Sequence, residues 1–262
     1  MTGDVRTFHH TQFPIDALLA AKAGRSVTVC VPARDEETTV AGVVDAVRRS
    51  HLGVAGGSGL VDEVLVVDDG SADSTADVAS AAGARVVRLA RSGGKGTAMG
   101  AGLAAAEGDF LVYLDADVEN TTGSFVSGLL GPLLAEDDVA LVKAFYERPL
   151  GGAPSGGGRV TELTARPVIE LLFPELAAVR QPLAGETAAP RWALEKLDLE
   201  PGYGVELGLL IDVAVRFGVP SIAQVDLGTR AHRNRSLDEL RPQAVEVLRA
   251  GLARARPGPG PG

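Results

Sequence analysis

The stretch LVYLDADVEN, residues 111–120, ends an apolar run with two carboxylates one residue apart. Its Leu, Val and Tyr side chains are typical of a buried strand, and Asp115 and Asp117 come where that strand ends. Side chains two residues apart lie on the same face of a strand, so the two carboxylates should meet at one point. Like charges that close favour a cation beside them. The stretch therefore predicts a buried strand with a binding site at its carboxyl end, although a solvated strand end is the simpler alternative.

Strand and helix patterns alternate on both sides of this stretch. Apolar runs predict strands at 26–33, 61–71, 84–89, 109–115, 139–149 and 221–228. Helical patterns lie at about 36–50, 74–83, 96–108, 122–135, 161–173 and 205–218, and again from about 237. Near-continuous apolar strands joined by helices indicate an α/β fold, with a mainly parallel sheet covered on both faces. Ligands of such sheets bind at the carboxyl ends of the strands.

Composition restricts the class of protein. The 262 residues are 45% hydrophobic, which is sufficient for one large α/β domain, and the net charge of −9 argues against a nucleic-acid binder. The single cysteine, Cys30, is expected to be a buried apolar side chain. We find no signal-peptide pattern, and no apolar stretch reaches the roughly 18 residues of a membrane span. We therefore expect a soluble, cytoplasmic protein.

Acidic residues and glycines mark two further strand ends. In VDDGSADST, residues 67–75, Asp68 and Asp69 precede a turn at Gly70, which a tight turn and helix cap alone would explain. Their position beside the Asp115 strand instead favours contacts with the ring and ribose of a nucleotide. The loop RSGGKGTAMG, residues 91–100, has the spacing of neither a P-loop nor a dinucleotide motif. Its glycines and Lys95 suit a phosphate or nucleotide sugar.

Basic residues occur in two segments of this acidic chain. TRAHRNRS, residues 229–236, places His232 among arginines, where it is either structural or a ligand of a divalent cation held by the Asp115 and Asp117 carboxylates. GGGRVTE, residues 156–162, presents Arg159 and Thr161 at a helix start, as a phosphate or carboxylate receptor would. The alternative for both segments is a solvated surface.

One acidic residue begins an otherwise apolar helix. Glu206, in PGYGVELGLLID at 201–212, is either a favourable charge at a helix start or a functional carboxylate facing a pocket. The pattern leaves both interpretations open.

With these motifs, the chain resembles the GT-A glycosyltransferases. VPARDEE at 31–37, VDDGSADST and DAD, a variant of the D-x-D metal motif, are common to that large superfamily. GGGRVTELTARP, FPELAAVRQPLAGE, GYGVELGLLIDV and AQVDLGTRAHRNRSL are more specific, and they resemble the actinobacterial glucosyl-3-phosphoglycerate synthases and the similar mannosyl-3-phosphoglycerate synthases. The resemblance covers about residues 25 to 250. Ala116 departs from the Ser expected inside DAD.

The resemblance implies a role for each matching position. For the donor it implies contacts from Pro32, Ala33, Glu36, Ser71, Lys95, Asp115, Ala116, Leu183, Ala184, Gly185 and Arg230. For the acceptor phosphate it implies Gly158, Arg159 and Thr161, with Asn234 nearby. Asp117 and His232 would bind Mg²⁺ or Mn²⁺. Lys95, Asp117, Glu206 and Arg230 form the implied catalytic set, in which Glu206 orients the sugar and acceptor or acts as a base.

The implied reaction moves glucose from UDP-glucose to the 2-hydroxyl of D-3-phosphoglycerate with retention of configuration, in a homodimer. The implied organisation is an N-terminal extension (1–24), a nucleotide-sugar half (25–145), an acceptor half (146–236), a C-terminal helix (237–255) and a disordered tail (256–262). The alternatives are transfer of mannose from GDP-mannose, a polyprenyl-phosphate sugar synthase, a nucleotidyltransferase and a sensing module without catalysis. The polyprenyl enzyme should show a membrane anchor, and the nucleotidyltransferase a Gly-rich loop where this chain has PARDEE.

Overall fold

The computed structural model describes residues 4–51, 59–147, 158–230 and 237–255. Within these ranges, eight strands and nine α-helices are joined in places by short 3-10 or π-helical turns. The strands are β1 Arg6–His9, β2 Val27–Ala33, β3 Glu63–Asp68, β4 Arg85–Arg88, β5 Phe110–Tyr113, β6 Leu141–Glu147, β7 Thr187–Pro190 and β8 Ile222–Thr229. The helices are α1 Ile15–Lys22, α2 Val40–His51, α3 Thr75–Ala81, α4 Lys95–Ala105, α5 Gly123–Ala135, α6 Arg166–Leu172, α7 Arg191–Leu194, α8 Val205–Phe217 and α9 Leu237–Arg254.

All eight strands form one sheet in the order β1-β8-β6-β7-β5-β2-β3-β4. Neighbouring strands are parallel except at β7, which is antiparallel to both β5 and β6. In the centre, Cys30 of β2 lies opposite Leu65 of β3 and Tyr113 of β5. The mainly parallel α/β fold is therefore confirmed, with β7 as an antiparallel insertion that the sequence pattern missed.

Apolar side chains cover both faces of the sheet. Because strand residues alternate, Val29 and Val31 of β2 pack on one side with α2 and α5, whereas Cys30 packs on the other with α4. Helices α6, α8 and α9 contribute to the same side as Cys30. The expectation that Cys30 is a buried apolar side chain is met, since it has no exposed surface.

Three of the segments proposed from the sequence, the N-terminal extension and the two halves, contribute strands to this one sheet. The N-terminal extension supplies β1, which pairs with β8 at one edge. Strand β7 of the acceptor half lies between β5 and β6 of the nucleotide-sugar half. Within the described ranges, no helix is long and apolar enough to cross a membrane. The tail at 256–262 lies outside the described residues.

Candidate active site

A cleft of about 270 Å³ opens at the carboxyl ends of β2, β3 and β5. It is where ligands of parallel sheets bind. Its wall contains most of the predicted site residues, namely Pro32, Ala33, Glu36, Lys95, Asp115, Ala116, Asp117, Gly158, Arg159, Thr161, Leu183, Glu206 and Arg230. The structure thus brings together positions that are up to two hundred residues apart in sequence.

Asp69 organises the Gly-rich loop beside the cleft. Its carboxylate accepts hydrogen bonds from the Ser92 hydroxyl at 2.7 Å and from the amides of Gly93 and Gly94 at 2.8 and 2.9 Å. These three bonds fix the turn that leads directly into α4, whose first residue is Lys95. The acidic strand end therefore sets the position of the lysine in the cleft.

Three predicted donor residues lie outside the cleft wall. The Ser71 hydroxyl bonds to the Asp68 carboxylate and accepts the Asp35 amide at 3.0 Å, which fastens the turn after β3. Ala184 and Gly185 lie behind the wall, and a β-carbon added at Gly185 would be 2.1 Å from an Asp115 oxygen. Gly185 therefore leaves space for the Asp115 carboxylate.

Lys95 lies between two carboxylates. Its ammonium donates to Asp115 Oδ1 at 2.6 Å and lies 2.7 Å from Glu206 Oε1. Burial by itself would lower the pKa of Lys95, but the facing charges of Asp115 and Glu206 raise it above its ordinary value. The ammonium is therefore charged at neutral pH.

Glu206 is almost fully buried at the start of α8, with 4% of its surface exposed. Its second oxygen, Oε2, lies 2.9 Å from the ammonium of Lys143. Each carboxylate oxygen is thus paired with an ammonium, Lys95 on one side and Lys143 on the other. This arrangement suits a carboxylate that orients its neighbours better than one that accepts a proton or attacks a sugar.

Arg230 joins the two carboxylates that follow β5. Its Nη2 lies 2.8 Å from Asp115 Oδ2 and 3.0 Å from Asp117 Oδ1. Its Nη1 donates to the Tyr146 hydroxyl at 2.9 Å, and its Nε forms an ion pair with Glu186 at 3.3 Å. Burial alone would lower the pKa of Arg230, but the carboxylates around it raise it. The guanidinium is therefore a fixed positive charge facing the cleft.

Tyr146 and Glu186 support Arg230 from behind. Glu186 has no exposed surface, and its Oε2 accepts the Tyr146 hydroxyl at 2.7 Å. Burial raises the pKa of Glu186, against the opposing charge of Arg230. The sequence analysis missed these residues and Lys143. The sequence feature that could have indicated them is a charged residue inside an otherwise mostly apolar run, Lys143 in VALVKAFY and Glu186 in PLAGETAAP.

Asp115 and Asp117 provide the carboxylate oxygens that Mg²⁺ and Mn²⁺ prefer. Both side chains are 19% exposed at the cleft, and both contact the same nitrogen of Arg230. The positively charged guanidinium of Arg230 therefore lies between the two carboxylates. The predicted ligand His232 lies outside the described residues, and the described ranges contain no group of three or more His, Cys, Asp or Glu that could hold a metal. The two carboxylates fit a divalent ion whose remaining ligands come from a bound substrate or from residues outside the described ranges.

The predicted acceptor residues form another part of the wall. Gly158 has φ of 84°, a left-handed conformation that favours glycine, and Arg159 follows it at the cleft. Thr161 is buried at the start of a π-helical turn, Thr161–Ala165, that leads into α6. Asn234 lies outside the described residues.

Helix α9 completes the wall with side chains that the sequence analysis did not single out. Leu240, Gln243 and Val247 face the cleft from successive turns of this helix. The Glu246 carboxylate accepts the amide of Tyr203, another wall residue, at 2.6 Å. The C-terminal helix is therefore part of the site.

Known glycosyltransferases are similar to this chain in sequence and in fold. The profile of glycosyl transferase family 2 matches residues 28–160. The chain is 48% identical to glucosyl-3-phosphoglycerate synthase of Mycobacterium tuberculosis. The alignment is 262 positions long and covers 95% of this chain and 79% of that protein.

Crystal structures of the Mycobacterium tuberculosis enzyme superpose closely on this chain. One, in complex with Mn²⁺, UDP-glucose and phosphoglyceric acid, has a TM-score of 0.87 and 47% identity, covering 95% of this chain and 87% of that one. Another, in complex with Mg²⁺ and UDP, has a TM-score of 0.87 and 46% identity, covering 96% and 86%.

Proposed function

The chain is a glycosyltransferase that belongs to glycosyl transferase family 2 and to the glucosyl-3-phosphoglycerate synthases, and from this premise we propose its reaction. It transfers glucose from UDP-glucose to the 2-hydroxyl of D-3-phosphoglycerate and releases UDP. The observation that carries the proposal is the alternating series of charges Lys95, Asp115, Arg230 and Asp117 along one side of the cleft. Two cations beside two carboxylates of the kind that bind divalent ions support the release of a diphosphate at this place.

The donor occupies the part of the cleft formed by the ends of β2 and β5. Pro32, Ala33 and Glu36 contact uridine, Ala116 lies against the ribose, and Leu183 lines the sugar pocket. The support for this placement is that all five residues lie on the cleft wall. Ser71, Ala184 and Gly185 act indirectly, through the turn and the packing described above.

A divalent ion, Mg²⁺ or Mn²⁺, would be held by Asp117 together with His232. When bound, the ion neutralises charge on the diphosphate as the glycosidic bond breaks. Lys95 and Arg230 act on the same developing charge as fixed cations, Lys95 partly buried and Arg230 buried, where preorganised charge stabilises a transition state strongly. The crystal structures of the relative that hold Mn²⁺ or Mg²⁺ with UDP or UDP-glucose support this proposal.

The acceptor binds across the cleft from the donor. Arg159 and Thr161 hold its phosphate, with Gly158 allowing close approach. The family resemblance adds Asn234 to this set. A guanidinium beside a helix start is a strong phosphate receptor. The complex of the relative with phosphoglyceric acid supports this class of acceptor.

The reaction proceeds with retention through attack on the face from which UDP departs. The bond between glucose C1 and the diphosphate oxygen breaks, the acceptor 2-hydroxyl oxygen bonds to C1, and its proton passes to the leaving diphosphate. The support for this route is that both oxygens of Glu206 are paired with ammonium groups, which disfavours this carboxylate as a base or nucleophile. Glu206 then orients Lys95 and needs to take no proton.

Acceptor-dependent release of nucleoside diphosphate tests the proposal. Purified protein with Mg²⁺ is given UDP-glucose or GDP-mannose, each with and without 3-phosphoglycerate. We expect UDP release that requires the acceptor, because the relative is a glucosyl enzyme. Asp117→Ala should abolish it, whereas Asp137→Ala, an exposed carboxylate in the loop after α5, should not. Acceptor-independent release, or a preference for GDP-mannose, would contradict the assignment.

A homodimer in the cytoplasm is part of the proposal. Leu171 of α6 is 80% exposed, and Leu252 of α9 is 56% exposed, on two helices that pack together. Two exposed leucines on helices in contact are the support for a contact surface on this side of the protein. The single cysteine rules out an intrachain disulfide, as is usual in a reducing compartment. Light scattering on wild type and Leu171→Asp measures the oligomeric state, and a monomeric wild type would contradict the dimer.

A further inference from the structure

Lys143 is an ammonium group buried in the middle of the sheet. It is the third residue of β6, has no exposed surface, and lies opposite Thr187 of β7 and Gln224 of β8. It is absent from the wall of the cleft, so it does not meet a ligand there. An ammonium removed from water is stable only when it is paired and hydrogen-bonded. Its partners therefore indicate its purpose.

Lys143 contacts one residue of the cleft wall, Glu206, and one residue behind that wall, Ala184. Its Nζ donates to Glu206 Oε2 at 2.9 Å and to the carbonyl of Ala184 at 2.5 Å. Ala184 lies in the segment 181–186, which is also held on β6 by a hydrogen bond from the Ala144 amide to the Glu186 carbonyl at 3.0 Å. Lys143 thus connects Glu206 of α8 and the segment proposed to line the sugar pocket to a single strand.

Glu206 passes this constraint on to the cleft. Its other oxygen lies 2.7 Å from Lys95, which donates to Asp115 at 2.6 Å. The charges alternate from Lys143 through Glu206 and Lys95 to Asp115, so Glu206 and Lys95 each have an opposite charge on both sides. Without Lys143, the Glu206 carboxylate would keep one cation of two and would be able to rotate, taking the Lys95 ammonium with it.

We infer that Lys143 is a positioning residue for glucosyl transfer. It touches no substrate, and it fixes Glu206 so that Lys95 points at the leaving diphosphate, while the same ammonium fixes the Ala184 carbonyl behind the sugar. The inference rests on the proposed function. Because Lys95 acts on charge that develops as the bond breaks, loss of Lys143 should lower kcat far more than it raises either KM.

Lys22 provides a matched control. It is likewise a buried lysine, 5% exposed, and it pairs with Asp62 at 2.6 Å and donates to the Gly59 carbonyl at 2.9 Å, on α1 away from the cleft. We expect Lys143→Met to lower kcat by about 10- to 100-fold, the effect of misplacing a reacting group by up to about 1 Å, with each KM within about threefold of wild type. Lys22→Met should lose thermal stability and keep its kcat.

A double-mutant cycle separates positioning from general destabilisation. If Lys143 acts through Glu206, Lys143→Met/Glu206→Gln should have the kcat of Glu206→Gln alone. This comparison also applies if Lys143→Met does not fold, because the double variant buries no unpaired carboxylate.

Losses that multiply in the double variant would overturn the inference, as would an unchanged kcat in Lys143→Met. An active wild type with either of these results contradicts only the role of Lys143. A wild type without acceptor-dependent UDP release contradicts the proposed function, and the inference with it.

Discussion

Gly185 leaves the space that the Asp115 carboxylate occupies, so a single added methyl group should displace that carboxylate. A β-carbon there would lie 2.1 Å from Asp115 Oδ1, whereas ordinary contact begins at 3.4 Å, so Gly185→Ala must move the carboxylate by about 1.3 Å. That shift breaks the 2.6 Å contact with Lys95 and the 2.8 Å contact with Arg230. A misplacement of about 1 Å costs about 100-fold in rate, equivalent to about 2.7 kcal/mol of transition-state stabilisation.

Steady-state UDP release measures this effect. We expect kcat/KM of Gly185→Ala to fall about 100-fold, while overpacking lowers the free energy of unfolding by about 1–3 kcal/mol. Gly100→Ala is the control, because Gly100 lies on the same helix as Lys95 and a β-carbon there meets nothing within 4 Å. Activity of Gly185→Ala within twofold of wild type would refute the argument, and so would an equal loss in Gly100→Ala.

Three other predictions follow from the described contacts. Arg159→Ala should raise the KM for 3-phosphoglycerate at least tenfold and leave the KM for UDP-glucose unchanged. Titrations of acceptor and donor measure the two KM values, and an equal rise in both would contradict an acceptor role for Arg159. Tyr146→Phe removes the hydroxyl that bonds to both Glu186 and Arg230. We expect kcat to fall about tenfold and the free energy of unfolding to fall by about 1–3 kcal/mol. Thermal unfolding and steady-state kinetics measure the two effects, and an unchanged kcat or an unchanged stability would contradict the prediction. Burial raises the pKa of the Cys30 thiol above its ordinary value, so native protein should not react with a thiol reagent at pH 8, and denatured protein should; rapid native labelling would show that Cys30 is accessible.

Most of the fold could be predicted because its central strands are long apolar runs. VTVCVPA and EVLVVD form β2 and β3 where the pattern placed strands. Strand β7 escaped prediction because Thr-Ala-Ala-Pro is short and has little β-propensity of its own. Its position depends on β5 and β6, which pair with it from distant parts of the chain. Strand β1 is equally short and lies at the edge of the sheet.

The candidate site could be predicted where function leaves a local pattern. Asp115 and Asp117 were found from their spacing, and Lys95 from the glycines around it. Lys143 and Glu186 have no such motif, because their importance comes from partners 63 and 44 residues away, Glu206 and Arg230. A charge inside an apolar run shows only that some partner must exist.

The most direct test of the account is the product itself. Wild-type protein is incubated with UDP-glucose, D-3-phosphoglycerate and Mg²⁺, and the product is identified by mass spectrometry and by the anomeric proton signal in NMR. The account predicts glucosyl-3-phosphoglycerate carrying an α-linked glucose on the 2-hydroxyl, formed in equal amount to the UDP released. A β-linked product, or UDP released with free glucose and no glucosylated acceptor, would contradict it.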